Sequence, residues 1–230
     1  MTEPSLPRDV QADVTMIDRL LRGLAALSGC SRRRHLGALA LGAALSLLGA
    51  GCASSQPAEA EEIYKDGQSK AQTDSQGAIK AYEAGLVNYP NHTRMRFALA
   101  QLQYEQGEVQ HLEQLRLKAA ARRFEDEGKT SDSQKTLRDA EDRKTKALPF
   151  YRAARDNFQI VAEHDSADLR RAWAYQLLVK CDVFFEDYEA AADHMDKAID
   201  LGKPTGQKLA QYKEFQGSLK AQSKRRSKDM

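Results

Sequence analysis

The sequence predicts an all-α protein. Only 14 glycines and 6 prolines interrupt its 230 residues, and long stretches are rich in Ala, Gln, Lys, Glu and Arg, which favour helix over strand. Apolar residues recur at helical spacing, as at Ile79, Tyr82, Leu86 and Tyr89, so that a segment offers one face to a neighbouring helix. With 41% hydrophobic and 30% charged residues, the chain is expected to build one core under a highly solvated surface.

The first 51 residues have the layout of a leader for export. A basic patch at residues 31–35 precedes thirteen apolar or small residues, 36–48. Because that run is shorter than the roughly 20 residues needed to span a bilayer, export followed by cleavage is favoured over a transmembrane anchor. The leader carries six basic and four acidic residues, which leaves 29 of each from Cys52 onward. This balance argues against nucleic acid as a partner.

Residues 49–52, Gly-Ala-Gly-Cys, resemble the lipobox of a lipoprotein of the bacterial cell envelope. The resemblance implies that Cys52 carries a diacylglyceryl group and that residues 52–60 form a flexible tether. The absence of Asp after the cysteine implies a place on the outer membrane, facing the periplasm. Arg32 and Arg33 also resemble a twin-arginine export signal, and the general secretory route fits equally well. Both Met1 and Met16 fit as the start of the chain.

Three helical pairs are predicted from a repeated pattern in the remaining chain. Residues 58–71 and 77–91 form the first pair, in which the small Ala78 is followed twelve residues later by Pro90. This segment resembles the second helix of a tetratricopeptide repeat, whose period is about 34 residues. A second match lies at residues 188–199. The resemblance implies a superhelix of helical hairpins over residues 61–220, closed by an amphipathic helix and followed by a basic, disordered tail at 221–230.

Between the two matches the period is broken. A small residue expected near position 112 appears only at Ala154, 42 residues later, and the strongest turn signal lies at residues 128–133. Both helices are therefore predicted to be prolonged into an antiparallel coiled-coil arm, about residues 109–148, that projects about 30 Å. Pro149 is expected to bend or start a helix where the arm rejoins the body. The predicted apolar seam of the arm comprises Val109, Leu112, Leu115, Ala119 and Phe124 against Leu137, Ala140, Ala147 and Tyr151.

No motif for catalysis, metal or cofactor binding is found, so we expect a protein that is not an enzyme. Cys181 stands in an apolar segment and is expected to be buried as a small apolar side chain. The histidines lie at no metal-binding spacing. His194, within Asp-His-Met-Asp at 193–196, is interpreted as part of the solvated face of a helix.

The repeat resemblance implies a groove lined by the first helix of each pair. The side chains that it assigns to the groove are Arg94, Phe97, Gln101, Tyr104 and Glu105, then Trp173, Gln176, Lys180, Val183 and Phe184. Core packing is the alternative for Val183 and Phe184. Aromatic rings between long polar groups suit an extended peptide or a helix.

The function expected from these features is that of a non-catalytic, lipid-anchored scaffold. It would bind other envelope proteins or peptides, during assembly of an envelope or secretion complex. Two alternatives are an accessory lipoprotein that binds cell-wall glycan or a solute, and a structural spacer.

Overall fold

The computed structural model describes residues 57–229, and within this range the chain forms seven α-helices and no strand. The helices are α1 (Ala58–Ala71), α2 (Ser75–Asn88), α3 (Thr93–Asp126), α4 (Thr130–His164), α5 (Asp168–Phe184), α6 (Tyr188–Gly202) and α7 (Gly206–Asp229). The prediction of an all-α protein is confirmed. The leader, Cys52 and most of the tether lie outside the described residues.

Side chains and one glycine set the boundaries of the helices. Asp74 precedes α2 and accepts a hydrogen bond from the Gly77 N–H at 2.9 Å, while Asp187 accepts one from the Ala190 N–H at 3.3 Å to begin α6. The chain reverses between α3 and α4 at Gly128, which has a φ of +72°. This left-handed conformation suits glycine because it has no Cβ, and it lies inside the break predicted for residues 128–133.

Three hydrophobic clusters hold the helices together in chain order. The first joins α1, α2 and the start of α3 around Tyr82. The largest joins α3, α4, α5 and α6 around Phe158, whose ring meets that of Phe97 edge to face at 5.8 Å. The third joins α5, α6 and α7 around Phe215. Cys181 lies in the largest cluster as a buried free thiol, as predicted, and burial raises its pKa above the usual value.

Helices α3 and α4 pack as an antiparallel hairpin through buried residues that recur every seven positions. These residues are Ala100, Gly107, Gln114 and Ala121 on α3, and Ser133, Ala140, Ala147 and Ala154 on α4. At Gly107 a Cβ atom would lie 2.9 Å from Cδ2 of Tyr151, so the two helices approach too closely for a larger residue. Side-chain hydrogen bonds cross the hairpin from Arg143 to Gln110 at 3.0 Å, from Asn157 to Gln103 at 3.1 Å and from Arg96 to Asn157 at 3.1 Å.

The buried stripe of this hairpin agrees with the predicted apolar seam at Ala140, Ala147 and Tyr151, which are buried, and differs from it elsewhere. Val109 is 63% exposed and Leu137 is 47% exposed, whereas the polar Gln114 is buried. The small residues face the opposite helix, and the larger apolar residues lie beside them. Within the described chain, no residue from 105 to 146 belongs to any of the three hydrophobic clusters. The distal half of the hairpin therefore lies outside the three hydrophobic clusters that stabilise the body.

Two further predictions of helix boundaries differ from the structure. Helix α4 continues through Pro149, so this proline does not start a helix. It lies on an exposed position, where the Thr145 carbonyl that loses its N–H partner can meet water. Helix α7 extends to Asp229 and so includes residues 221–229, which were predicted to be a disordered tail. Arg226 attaches this end to the Glu186 carbonyl at 2.5 Å and to its carboxylate at 3.2 Å.

Candidate functional site

The groove residues at the start of α3 take part in packing between helices. Arg94 donates to both carboxylate oxygens of Glu61 at 3.0 and 3.1 Å, and its guanidinium lies 4.6 Å from the centre of the Tyr64 ring. Arg94 thus joins α3 to α1. Phe97 is buried against Phe158 and belongs to the core rather than to a surface groove. Gln101 is partly buried.

Three of the predicted residues come together where the long hairpin meets α5. Here Tyr104, His111, Tyr151, Phe184 and Phe185 form a set of contacting rings, which we name the aromatic cluster. Tyr151 and Phe184 stack with centroids 4.0 Å apart, and Tyr104 meets Tyr151 edge to face at 5.5 Å. Four of the five residues are only partly buried, Tyr151 being the exception. Lys180 places its amine 5.6 Å from the centre of the Tyr104 ring.

Two carboxylates of α3 lie beside the aromatic cluster. Glu108 accepts a hydrogen bond from the Tyr104 hydroxyl at 3.4 Å. Glu105 is an exposed residue, yet the surrounding protein removes part of its hydration. This desolvation, followed in importance by the charge of Glu108, raises the pKa of Glu105 above its usual value. The aromatic cluster is therefore bordered by negative charge on the α3 side.

The remaining groove residues, Trp173 and Gln176, line a small recess formed by α5, α6 and α7. Its volume is about 70 Å³, and its other walls include Leu169, Pro204, Lys208 and Tyr212. Trp173 is 40% exposed, so part of its indole ring faces solvent. Val183 of the predicted groove is partly buried and packs against the third hydrophobic cluster. The predicted groove residues thus fall in three separate places along the molecule.

A buried ionic network on α4, α5 and α6 was not predicted from the sequence. Asp182 is fully buried and pairs with Arg155 Nε at 2.8 Å and with His194 Nδ1 at 2.7 Å. Arg155 also donates to Asp187 at 3.1 Å. His194 therefore does not lie on a solvated face, and that interpretation is wrong. The sequence did contain a signal for this network. Asp182 recurs at helical spacing with the apolar residues Tyr175 and Leu178, so it lies on the buried face of α5, and a buried charge requires a partner.

A second buried histidine begins α3. His92 Nδ1 accepts a hydrogen bond from the Met95 N–H at 3.0 Å, so the proton of the neutral ring is on Nε2. Nε2 itself is buried and has no hydrogen-bond partner. Burial lowers the pKa of His92 below 6.5, because a charged ring would be dehydrated there. A protonated Nδ1 could also no longer accept the hydrogen bond from the Met95 N–H.

Stability is expected to depend on pH through His92. Above pH 6.5 both the folded and unfolded chains hold a neutral ring, and its contribution is complete. As the pH falls below 6.5, only the unfolded chain binds the proton, so stability is lost until the pH passes the lower folded pKa. The loss is at most about 1.4 kcal/mol per pH unit. Urea unfolding between pH 7 and 5 measures it.

The variant His92→Asn tests this assignment, since asparagine can begin a helix without titrating. We expect it to have a shallower pH dependence than the natural chain. His164→Asn, at an exposed histidine near the end of α4, is the matched control and should keep the natural slope. Equal slopes for His92→Asn and the natural chain would contradict the assignment.

Metal and membrane sites were also sought in residues 57–229. No three His, Cys, Asp or Glu side chains in this range are grouped so that they could hold a metal ion. No helix in the same range combines the length and apolar character needed to cross a bilayer.

Comparison of the chain with protein families, curated proteins and solved structures finds no match.

Proposed function

We propose that this protein is a non-catalytic scaffold that binds other envelope proteins or peptides. The observation that carries the proposal is the aromatic cluster, where partly buried rings of α3 and α5 pack on the buried Tyr151 ring of α4, beside the carboxylates of Glu105 and Glu108. Aromatic rings contribute large contact areas at interfaces with little loss of side-chain entropy, and polar neighbours fix the register of the bound segment. The function is thus assigned to the side of the molecule where α3 meets α5.

The order of contacts between helices supports a superhelix of the tetratricopeptide type. In such a fold the first helix of each pair lies beside the first helix of the next. Here α1 contacts α3 through Glu61 and Arg94, and α3 contacts α5 through Tyr104 and Lys180. Helices α5 and α7 share the recess that contains Trp173. One face made of α1, α3, α5 and α7 would then be the binding surface.

The long hairpin is assigned to the coiled-coil arm expected at residues 109–148. Its support is the seven-residue spacing of buried residues on α3 and α4, which is the spacing of a coiled coil. The exposed charged residues of this part keep such an arm soluble. As part of a scaffold, the arm would hold partners at a distance from the body.

Anchoring belongs to the same proposal and rests on the lipobox resemblance. A diacylglyceryl group on Cys52 would hold the domain at the outer membrane, facing the periplasm. Residues 52–60 would then separate the helices from the lipid surface.

The scaffold is tested by crosslinking in cells that produce the full chain. A photoreactive amino acid at Tyr104 or Trp173 is expected to capture a discrete partner protein. One at Val87, an exposed apolar residue on α2, is the matched control and is expected not to capture it. Mass spectrometry of the purified protein should find a lipid-modified Cys52 at its N-terminus. Capture of no partner from either Tyr104 or Trp173 would contradict the scaffold.

Binding of cell-wall glycan is a second candidate, favoured by the recess at Trp173. An indole face beside the Gln176 amide and the Lys208 amine can stack on a sugar ring and hydrogen-bond to its hydroxyls. Purified wall fragments added to the full chain would then bind, and Trp173→Ala would abolish that binding. The scaffold predicts no such binding.

A further inference from the structure

Glu105 and Glu108 are two carboxylates of α3 at the edge of the aromatic cluster. They lie three residues apart on α3 and therefore share one face of the helix. None of the ion pairs described in residues 57–229 includes Glu105 or Glu108. At the same surface, Lys180 places its amine 5.6 Å from the centre of the Tyr104 ring.

Their surroundings make this arrangement unfavourable in the free protein. Glu105 has lost part of its hydration and is close to a like charge, and both effects disfavour its ionised form. A cation that entered between the two carboxylates would relieve both effects. The local environment thus favours a positively charged ligand and disfavours an anionic one.

The neighbouring rings add a second requirement. The centre of the Phe184 ring lies 5.2 Å from that of His111, 4.0 Å from that of Tyr151 and 5.3 Å from that of Phe185. Together these rings form a partly exposed aromatic patch. Such a patch binds apolar side chains by burial and cations through the ring faces. A ligand with an apolar and a basic group next to each other would satisfy the rings and the carboxylates together.

We infer that the aromatic cluster, with Glu105 and Glu108, binds a partner segment in which a Lys or Arg side chain stands beside a large apolar side chain. The basic group lies between the two carboxylates, and the apolar side chain packs on Tyr104 and Phe184. This inference rests on the proposed scaffold function and adds the chemistry of the bound segment.

Fluorescence anisotropy with the full chain and three short labelled peptides tests the inference. The peptides share the same Phe and Leu residues and differ only in carrying Lys, Gln or Glu at the remaining positions. The Lys peptide is expected to bind about tenfold more tightly than the Gln peptide, and the Glu peptide more weakly than both. The advantage of the Lys peptide should shrink as salt is added, because these charges are near the surface.

The variant Glu105→Gln with Glu108→Gln should lose most of the advantage of the Lys peptide. The control Glu125→Gln with Asp139→Asn removes the same charge from exposed positions of the distal hairpin and should leave it unchanged. Circular dichroism checks that both variants are helical. Equal binding of the Lys and Glu peptides, or an undiminished advantage in the first variant, would overturn the inference.

Crosslinking separates this inference from the scaffold itself. A partner captured from Tyr104 through a segment without basic residues would leave the scaffold standing and overturn the charge selectivity. Failure to capture any partner, together with no binding of the three peptides, would overturn both.

Discussion

Replacing Phe158 with alanine is expected to lower the free energy of unfolding by about 3–5 kcal/mol. The ring is fully buried in the cluster that joins α3, α4, α5 and α6, and it meets Phe97 edge to face. Its removal leaves a cavity between four helices, and none of them can close that cavity without losing contacts with the others. Urea unfolding followed by circular dichroism measures the loss.

Phe124→Ala is the matched control for this prediction. Phe124 is only partly buried and lies near the end of α3, in the distal half of the hairpin. Its loss is expected to cost about 1 kcal/mol or less. Losses of similar size at the two positions would mean that the body and the distal hairpin are equally well packed, contrary to the distribution of the hydrophobic clusters.

Replacing Asp182 with alanine is expected to cost about 3–5 kcal/mol. Asp182 is fully buried and is the common partner of Arg155 and His194. Without it, Arg155 on α4, whose side chain is 34% exposed, and the largely buried His194 on α6 lose the carboxylate that they share. Arg155 retains Asp187, which limits but does not remove the loss. The same urea unfolding measurement applies, at neutral pH.

Asp193→Ala is the control for Asp182→Ala, because it removes an exposed carboxylate next to His194. Its free energy of unfolding should stay within about 0.5 kcal/mol of the natural value. A small loss in Asp182→Ala, comparable to that of the control, would show that the buried network contributes little net stability.

Much of the helical layout could be predicted from the sequence because local signals agreed with one another. The predicted helix over residues 58–71 is observed, and the turn signal at Gly128 marks the reversal of the long hairpin. These features depend on proline, glycine and capping residues, which act on the neighbouring chain. Local chemistry of this kind is visible in one sequence.

The inner face of the long hairpin could not be predicted so well, because apolar size was taken as the signal for burial. The structure buries Gln114 and leaves Val109 exposed, because position 114 lies on the seven-residue stripe where α3 faces α4 and position 109 does not. The recurrence of Ala100, Gly107 and Ala121 is present in the sequence. It becomes informative only once the two helices are known to be neighbours.

The candidate site depended on contacts between distant parts of the chain. Phe97 and Tyr104 are seven residues apart and face the same way, yet the first is buried and the second is partly exposed. The difference arises from the residues of other helices that cover each ring. The spacing of apolar residues within one helix does not reveal these residues. Asp182 was overlooked for the same reason, because its partners come from α4 and α6.

The seven-residue stripe makes the length of the long hairpin adjustable in fixed steps. Removing one period from α3 together with the opposing period from α4 would restore the same small residues against each other, and the tip would move about 10 Å closer to the body. Unequal removals would rotate one helix and bring large side chains into the gap. Only equal removals of whole seven-residue periods from the two helices would therefore shorten the hairpin and keep the packing of α3 on α4.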